Sequence, residues 1–289
     1  MPELPEVEVI KRSLTNKVQN LIIKKVKVND YRLRYRIDKT RIRKIVGLKI
    51  EKIERRSKFL LFFFDKGIIM LIHFGMTGKF FFVNQKNTKF KTSFYYNIND
   101  RKDQKHNRVI FFFNKKQKLI YNDVRKFGFI KFLKNNDYNY SSHLKNLGPE
   151  PLGKEFSWHY FKQQIIGRNR TIKDFLMDQK FVSGIGNIYA NEILFLSKVK
   201  PTRNVKTLRV TEIKKIVEFT KKVLKNAIKL GGSSIKDFSS SNGKKGSFQQ
   251  YFNVYGKKGE NCSNKNCNLQ IIKIVIANRA TFYCSKCQK

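Results

Sequence analysis

Apolar residues recur at Val7, Ile10, Leu14 and Val18, the spacing of one helix face, so a helix is expected over residues 3–19. Pro5 falls in its first turn, where a missing N–H is tolerated. From residue 21 to about 133 the pattern changes to short apolar runs separated by polar turns: Leu21–Val28, Phe59–Phe64, Ile68–Ile72, Lys79–Val83, Arg108–Phe113, Lys118–Tyr121 and Phe127–Leu133. These read as strands, and a series of short strands suggests a sandwich or barrel. Residues 84–107 are polar, basic and weakly patterned, as in a loop on that sheet, and 135–142 read as a linker. After Gly148-Pro149-Glu150-Pro151 the period becomes helical, with helices expected near 155–166, 171–179, 187–197 and 211–230. A glycine-rich stretch, 231–246, precedes a tail that carries every cysteine.

Composition narrows the class. The 289 residues hold 62 Lys and Arg against 21 Asp and Glu, a formal net charge of +41, with 40% apolar residues, enough for a real core. Such charge points to a polyanion, either nucleic acid or an anionic membrane surface. Codon drift toward Lys, Asn, Ile, Phe and Tyr would also supply lysines, but it does not explain so few acids. No apolar run approaches the ~18 residues of a membrane span, and the N-terminus lacks the pattern of a secretory leader. The expected class is a soluble intracellular protein that meets nucleic acid.

Cys262 and Cys267 are separated by four residues, Cys284 and Cys287 by two, with sixteen residues between the pairs. Two close pairs at this separation can form two knuckles around one tetrahedral, structural Zn2+. Disulfides and free thiols are the alternatives; nothing marks the chain as secreted, which disfavours the first. At the other end, Pro2 follows the initiator methionine, whose removal would expose a secondary amine. An α-amino group has a pKa of about 7.7–8.0 against about 10.4 for lysine, and a helix start lowers it further. Such an amine can attack an electrophilic carbon, with Glu3 and Glu6 beside it to handle protons. The plainer reading of the same residues is an ordinary helix start.

The order of motifs adds a resemblance. Met1-Pro2-Glu3-Leu4-Pro5-Glu6-Val7-Glu8, Lys58 in Arg55-Arg56-Ser57-Lys58-Phe59-Leu60, and His73-Phe74-Gly75-Met76-Thr77-Gly78 resemble segments of the formamidopyrimidine-DNA glycosylase (Fpg, MutM) family. So do Asp123-Val124-Arg125-Lys126-Phe127-Gly128, Leu147-Gly148-Pro149-Glu150-Pro151-Leu152, Gly184-Ile185-Gly186-Asn187-Ile188-Tyr189-Ala190, Val254-Tyr255-Gly256-Lys257-Lys258-Gly259-Glu260 and Arg279-Ala280-Thr281-Phe282-Tyr283-Cys284. The resemblance implies an α+β multidomain chain. Residues 1–134 would form a catalytic β-sandwich with a leading helix, 135–154 a linker, 155–249 a helix–two-turns–helix domain with a lid loop at 231–248, and 250–289 a four-cysteine zinc finger.

It also implies a bifunctional glycosylase and abasic-site lyase that removes oxidised purines from duplex DNA, after flipping the nucleotide out of the stack. By matched position, Pro2 would be the nucleophile, Glu3 the proton shuttle, Lys58 a second base, and Arg279 the residue serving δ-elimination. His73, His106, Arg168 and Asn187 would contact DNA, and Met76, Arg125 and Phe127 would fill the gap left by flipping. One structural zinc on the four cysteines, damaged double-stranded DNA as partner, a monomer, no membrane, and the bacterial cytoplasm at the nucleoid complete the expectation. Three departures stand out: the four-residue first cysteine spacing, the long segment 84–107, and Gly167-Arg168-Asn169-Arg170 in place of a lysine cluster. Two rivals remain. One is endonuclease VIII, acting on oxidised pyrimidines, against which Leu4 and the three gap-filling residues argue. The other is a non-catalytic zinc-containing DNA-binding protein.

Overall fold

The computed structural model describes residues 1–83, 89–91, 104–114, 117–134, 141–233 and 248–289, with backbone only at 89–91. Most of the expected basic loop and lid, and residues 135–140 of the expected linker, lie outside the described residues. The chain forms two compact units, Met1–Lys145 with Leu230–Gln249, and Asn146–Lys229 with Gln250–Lys289.

The first unit opens with α1 (Leu4–Val18), which Glu3 caps in a reciprocal capping box: the Glu6 Oε2 accepts the Glu3 N–H at 2.9 Å. Leu4, Val7, Ile10, Leu14 and Val18 are buried, as the spacing anticipates. The strands that follow are β1 (Lys25–Val28), β2 (Ile50–Arg56), β3 (Phe59–Phe64), β4 (Ile68–His73), β5 (Lys79–Val83), β6 (Lys89–Lys91), β7 (Asn107–Phe112), β8 (Lys118–Asn122) and β9 (Phe129–Lys134). They pair antiparallel into a five-stranded sheet, β1-β7-β8-β5-β6, and a four-stranded sheet, β2-β3-β4-β9. One core joins both sheets to α1, with Phe62, Phe80, Phe111 and Tyr121 among Val7, Ile10 and Leu14. Each such buried side chain contributes roughly 2–3 kcal/mol through area removed from water.

Three elements were not anticipated, the first being β6, which lies within the expected loop 84–107 and pairs with β5. β2 reads Ile-Glu-Lys-Ile-Glu-Arg-Arg, and a bulge between Ile50 and Lys52 breaks the alternation that would have announced it. The short helix α2 (Lys39–Lys44) buries only Ile42, and its start is set by Asp38, which accepts the Thr40 and Arg41 N–H groups. Conversely, the expected run 21–28 is strand only from Lys25; Ile22 makes an isolated bridge to Lys49.

The second unit holds α3 (Trp158–Gln164), α4 (Ile172–Met177), α5 (Asn187–Leu196) and α6 (Val210–Lys229). An aromatic nest of Phe156, Phe161, Phe175 and Phe181 fills its centre, with Phe175 stacked on Phe181 at 4.1 Å. The unit ends in the hairpin β10 (Ile272–Ile276) and β11 (Arg279–Tyr283). Ala277 and Asn278 both take left-handed backbone (φ 48° and 56°), the two-residue turn that matches strand twist.

Candidate catalytic pocket and nucleic-acid interface

Within the first unit, Met1, Arg34, His73, Gly75, Met76, Arg125, Lys126 and Phe127 line an open cavity of about 510 Å3. Pro2 and Glu3 follow Met1 in the chain and are buried, Glu3 only 3% exposed. Burial holds the Met1 amine below its ordinary pKa; Lys58 and Arg125 push the same way, and Glu3 and Glu6 oppose. Lys58 sits just after Ser57, whose left-handed φ of 56° makes the tight β2–β3 turn, and Lys58 is 7% exposed. Arg55 braces this turn, donating to the Ser57 carbonyl at 3.0 Å and pairing with Glu8 at 3.1 Å.

His73 ends β4 and stacks on Phe129 at 5.5 Å. Its Nδ1 accepts the Gly75 N–H at 3.1 Å, which leaves the proton on Nε2. Burial, then Lys58, Arg34 and His143, lower its pKa to about 4, so the ring is neutral near pH 7 and acts as a donor. Glu6 is less available than the sequence suggests. Its Oε2 takes the Glu3 N–H, and its Oε1 takes the Ser233 N–H at 2.8 Å and the Ser233 hydroxyl at 2.9 Å. It acts as an anchor between α1 and the segment that leads into residues 234–247.

The three expected gap-filling residues stand together. Met76 is 41% and Phe127 45% exposed, the Arg125 guanidinium lies 4.4 Å over the Phe127 ring, and its Nη1 meets the Met76 sulfur at 3.2 Å. Their two loops are bolted to each other. The Thr77 hydroxyl donates to buried Asp123 and accepts the Arg125 N–H at 3.0 Å, while the other Asp123 oxygen takes the Gly128 N–H at 2.8 Å. Gly75, at φ +58°, lies so close to this second loop that a Cβ would come within 2.4 Å of the Phe127 carbonyl carbon.

Sequence reading missed several participants. Arg34 lines the cavity and donates its N–H to the Gly128 carbonyl at 3.1 Å; its signal was the alternating Arg32, Arg34 and Arg36. Lys126, at φ 58°, is held by Asp30 at 2.6 Å. Asp30 also pairs with Arg108, which contacts the expected DNA ligand His106 at 3.2 Å.

In the second unit, Gly186 caps α5, and Asn187 is the first helical residue, as expected. Asn187 Nδ2 donates to the Ala280 carbonyl at 3.0 Å, and the wholly buried Lys173 donates to the same carbonyl and to the Thr281 hydroxyl. Asn191 accepts the Phe282 N–H at 2.7 Å. Glu192, also buried, accepts four bonds from Asn253, Val254 and Tyr255. The Asn187, Lys173 and Asn191 contacts fix the hairpin that presents exposed Arg279 directly after its turn. Arg168 is exposed on the turn after α3, beyond Gly167 at φ +69°.

Cys262, Cys267, Cys284 and Cys287 bring their sulfurs within 4.8 Å of one another and form no disulfide. A tetrahedral zinc with Zn–S of about 2.3 Å requires sulfurs about 3.8 Å apart; Cys262–Cys287 measures 3.8 Å and Cys267–Cys284 3.5 Å. The four-residue first spacing is therefore compatible with a closed metal shell. Burial pushes the Cys262 thiol up to about 12, so a metal binding there displaces protons.

Residues 1–130 match the family model of the formamidopyrimidine-DNA glycosylase N-terminal domain, and residues 147–239 that of its H2TH domain. Formamidopyrimidine-DNA glycosylase of Roseobacter denitrificans is 35% identical, covering 100% of both chains, and that of Rickettsia felis 37%, covering 100% of this chain and 98% of its own. Among solved structures, a Lactococcus lactis Fpg mutant with Fapy-dG-containing DNA superposes at a TM-score of 0.86 with 32% identity, covering 100% of each chain. Lactococcus lactis Fpg with abasic-site DNA does so at 0.85 and 32%, covering 99% of each. With its sandwich, H2TH helices and cysteine cluster in the family's order, the chain belongs to the formamidopyrimidine-DNA glycosylases, the base-removing enzymes of DNA repair.

Proposed function

We propose that this glycosylase removes oxidised purines, 8-oxoguanine and formamidopyrimidines, from duplex DNA and then cleaves the abasic strand by β,δ-elimination. The observation that carries the reading is the amine-bearing helix start at a cavity that also holds neutral His73 and the Met76, Arg125 and Phe127 wedge, with the Lys58 charge acting on both the amine and His73. Loss of Met1 leaves the Pro2 nitrogen in the same desolvated, cation-flanked setting, where its neutral form is favoured.

The Pro2 nitrogen attacks C1′ of the extruded nucleotide, and the C1′–base bond breaks with the electron pair leaving on the base. Glu3 takes the proton that the Pro2 nitrogen sheds on bonding and passes it to the sugar ring oxygen as the ring opens, giving an iminium between Pro2 and C1′, while the departing base picks up a proton from water. Lys58 assists loss of the C2′ proton, which expels the 3′ phosphate; Arg279 serves the second elimination, which expels the 5′ phosphate. His73 Nε2–H and Asn187 hold phosphates, and His106 and Arg168 extend the DNA contact. Met76 and Phe127 replace the lost stacking, and Arg125 offers donors to the orphaned base. The four cysteines would hold one zinc, which would close the knuckle next to the hairpin that carries Arg279. The protein acts as a monomer on damaged DNA in the bacterial cytoplasm; among the described residues no helix is long and apolar enough to cross a membrane.

Borohydride trapping on duplexes carrying 8-oxoguanine, an oxidised pyrimidine or no lesion tests this. The expected adduct forms on the purine lesion and maps to Pro2 by mass spectrometry. Trapping only on the pyrimidine favours the endonuclease VIII reading, no trapping favours a binding module, and an adduct on another side chain refutes the role of Pro2. A Pro2→Gly change should retain DNA binding and lose strand cleavage.

A further inference from the structure

The four-stranded sheet carries basic groups at both ends. At one end lie Lys58, His73 and the pocket described above. At the other, five residues back along β4 and so about 17 Å away, a second cavity of about 430 Å3 opens between α2, the β3–β4 turn and the end of β9. Arg41, Lys44, Lys66 and Lys134 surround it, and Ile68 and Phe132 contribute its apolar floor.

Each cation is placed by the backbone. Arg41 is aimed by the Phe132 carbonyl at 2.8 Å and by Asp38 at 3.5 Å. Lys66 occupies the left-handed position (φ 65°) of the β3–β4 turn, and Lys134 faces Ile68 across the β4–β9 ladder. Of the neighbouring carboxylates, Asp38 accepts two helix N–H groups and offsets Arg41, and Asp65 accepts the Lys49 N–H at 2.9 Å. Among the described residues Lys44, Lys66 and Lys134 enter no ion pair. Three unbalanced cations around one concavity repel each other, and a chain of phosphates relieves that repulsion.

We propose that this cavity is a second phosphodiester-binding site, which holds a separate DNA segment while the lesion end of the sheet holds the first. The proposal rests on the reading of the chain as a DNA glycosylase. A protein of charge +41 leaves nonspecific DNA slowly, because departure must recondense many counterions. Two sites at opposite ends of one sheet allow a bridged intermediate, in which a new duplex is engaged before the old one is released.

The test follows departure of the full-length protein from a labelled undamaged duplex as unlabelled duplex is added. Direct transfer makes the departure rate climb with competitor concentration. Lys44→Ala, Lys66→Gly and Lys134→Ala together should lower that slope about tenfold and leave single-turnover excision of 8-oxoguanine unchanged. A control of equal charge change, Lys215→Ala, Lys225→Ala and Lys229→Ala, should lower the slope far less. Equal slopes in the two triple variants would overturn the proposal, as would inorganic phosphate accelerating departure as well as duplex does. Transfer is read on undamaged DNA, so absent excision by the unaltered protein would count against the enzymatic reading alone. A thermal midpoint confirms that both triple variants fold.

Discussion

Thr77→Val removes one oxygen and keeps the side chain's shape, so it isolates the bridge between the two wedge loops. Thr77 is 3% exposed and Asp123 fully buried, so neither lost bond is fully replaced by water. A hydrogen bond to a charged group is worth about 1.5–3 kcal/mol, and the Arg125 N–H, which also loses its acceptor, adds up to about 1 kcal/mol. The expected loss is therefore about 2–4 kcal/mol. At roughly 2–4 °C per kcal/mol for a unit of this size, the melting temperature should fall by about 4–16 °C. Calorimetry reads the first value. Fluorescence of 2-aminopurine opposite the lesion reads the second consequence, slower wedge insertion, since Met76 and Arg125 no longer share one frame. Thr77→Ser, which keeps the hydroxyl, should recover all but about 0.8 kcal/mol for its missing methyl. A Thr77→Val loss below about 0.5 kcal/mol with normal insertion would refute the claim that this bridge organises the wedge.

Glu6→Gln presents an amide N–H to donors now served by a carboxylate, and should cost about 2–3 kcal/mol; faster hydrogen exchange at the Ser233 amide checks it, and unchanged protection would contradict the anchor. His73 has a folded pKa of about 4 against 6.5 unfolded, so the unfolded state binds more protons between those values. Its effect is absent above pH 6.5, and stability then falls by roughly 3 kcal/mol as pH drops to 4; His73→Gln should flatten that part of a pH–unfolding series. The cysteine cluster should carry one zinc per chain by elemental analysis and release it on acidification, and a stripped sample that still nicks abasic DNA at full rate would count against the structural role of the knuckle.

Where burial imposes a period, the chain could be read directly. α1 and α6 each bury a regular face, β3, β4 and β5 are short apolar runs buried almost throughout, and the bounds of all five fall within a few residues of the expected ones. β2 escaped because its bulge and its charged residues erase alternation, and α2 because one buried isoleucine is too little to mark a face. At the site, residues inside compact motifs, such as Met76, Arg125 and the cysteines, were legible one by one. Partners joined through space were not. Ser233 is 227 positions from Glu6, Asp30 is far from Lys126, and Lys173 is far from Thr281; no local pattern pairs them.

The Glu6–Ser233 bond has a consequence for biosynthesis. The helix that launches the polypeptide contains a water-free carboxylate oxygen whose donors leave the ribosome only after α3 through α6 have been translated. Translation that stops short of residue 233 yields an N-terminal unit without these two bonds, and water takes the place of the absent segment at the Glu6 oxygen. Incomplete copies therefore lack the tie that holds the helix at the start of the catalytic pocket to the far end of the chain.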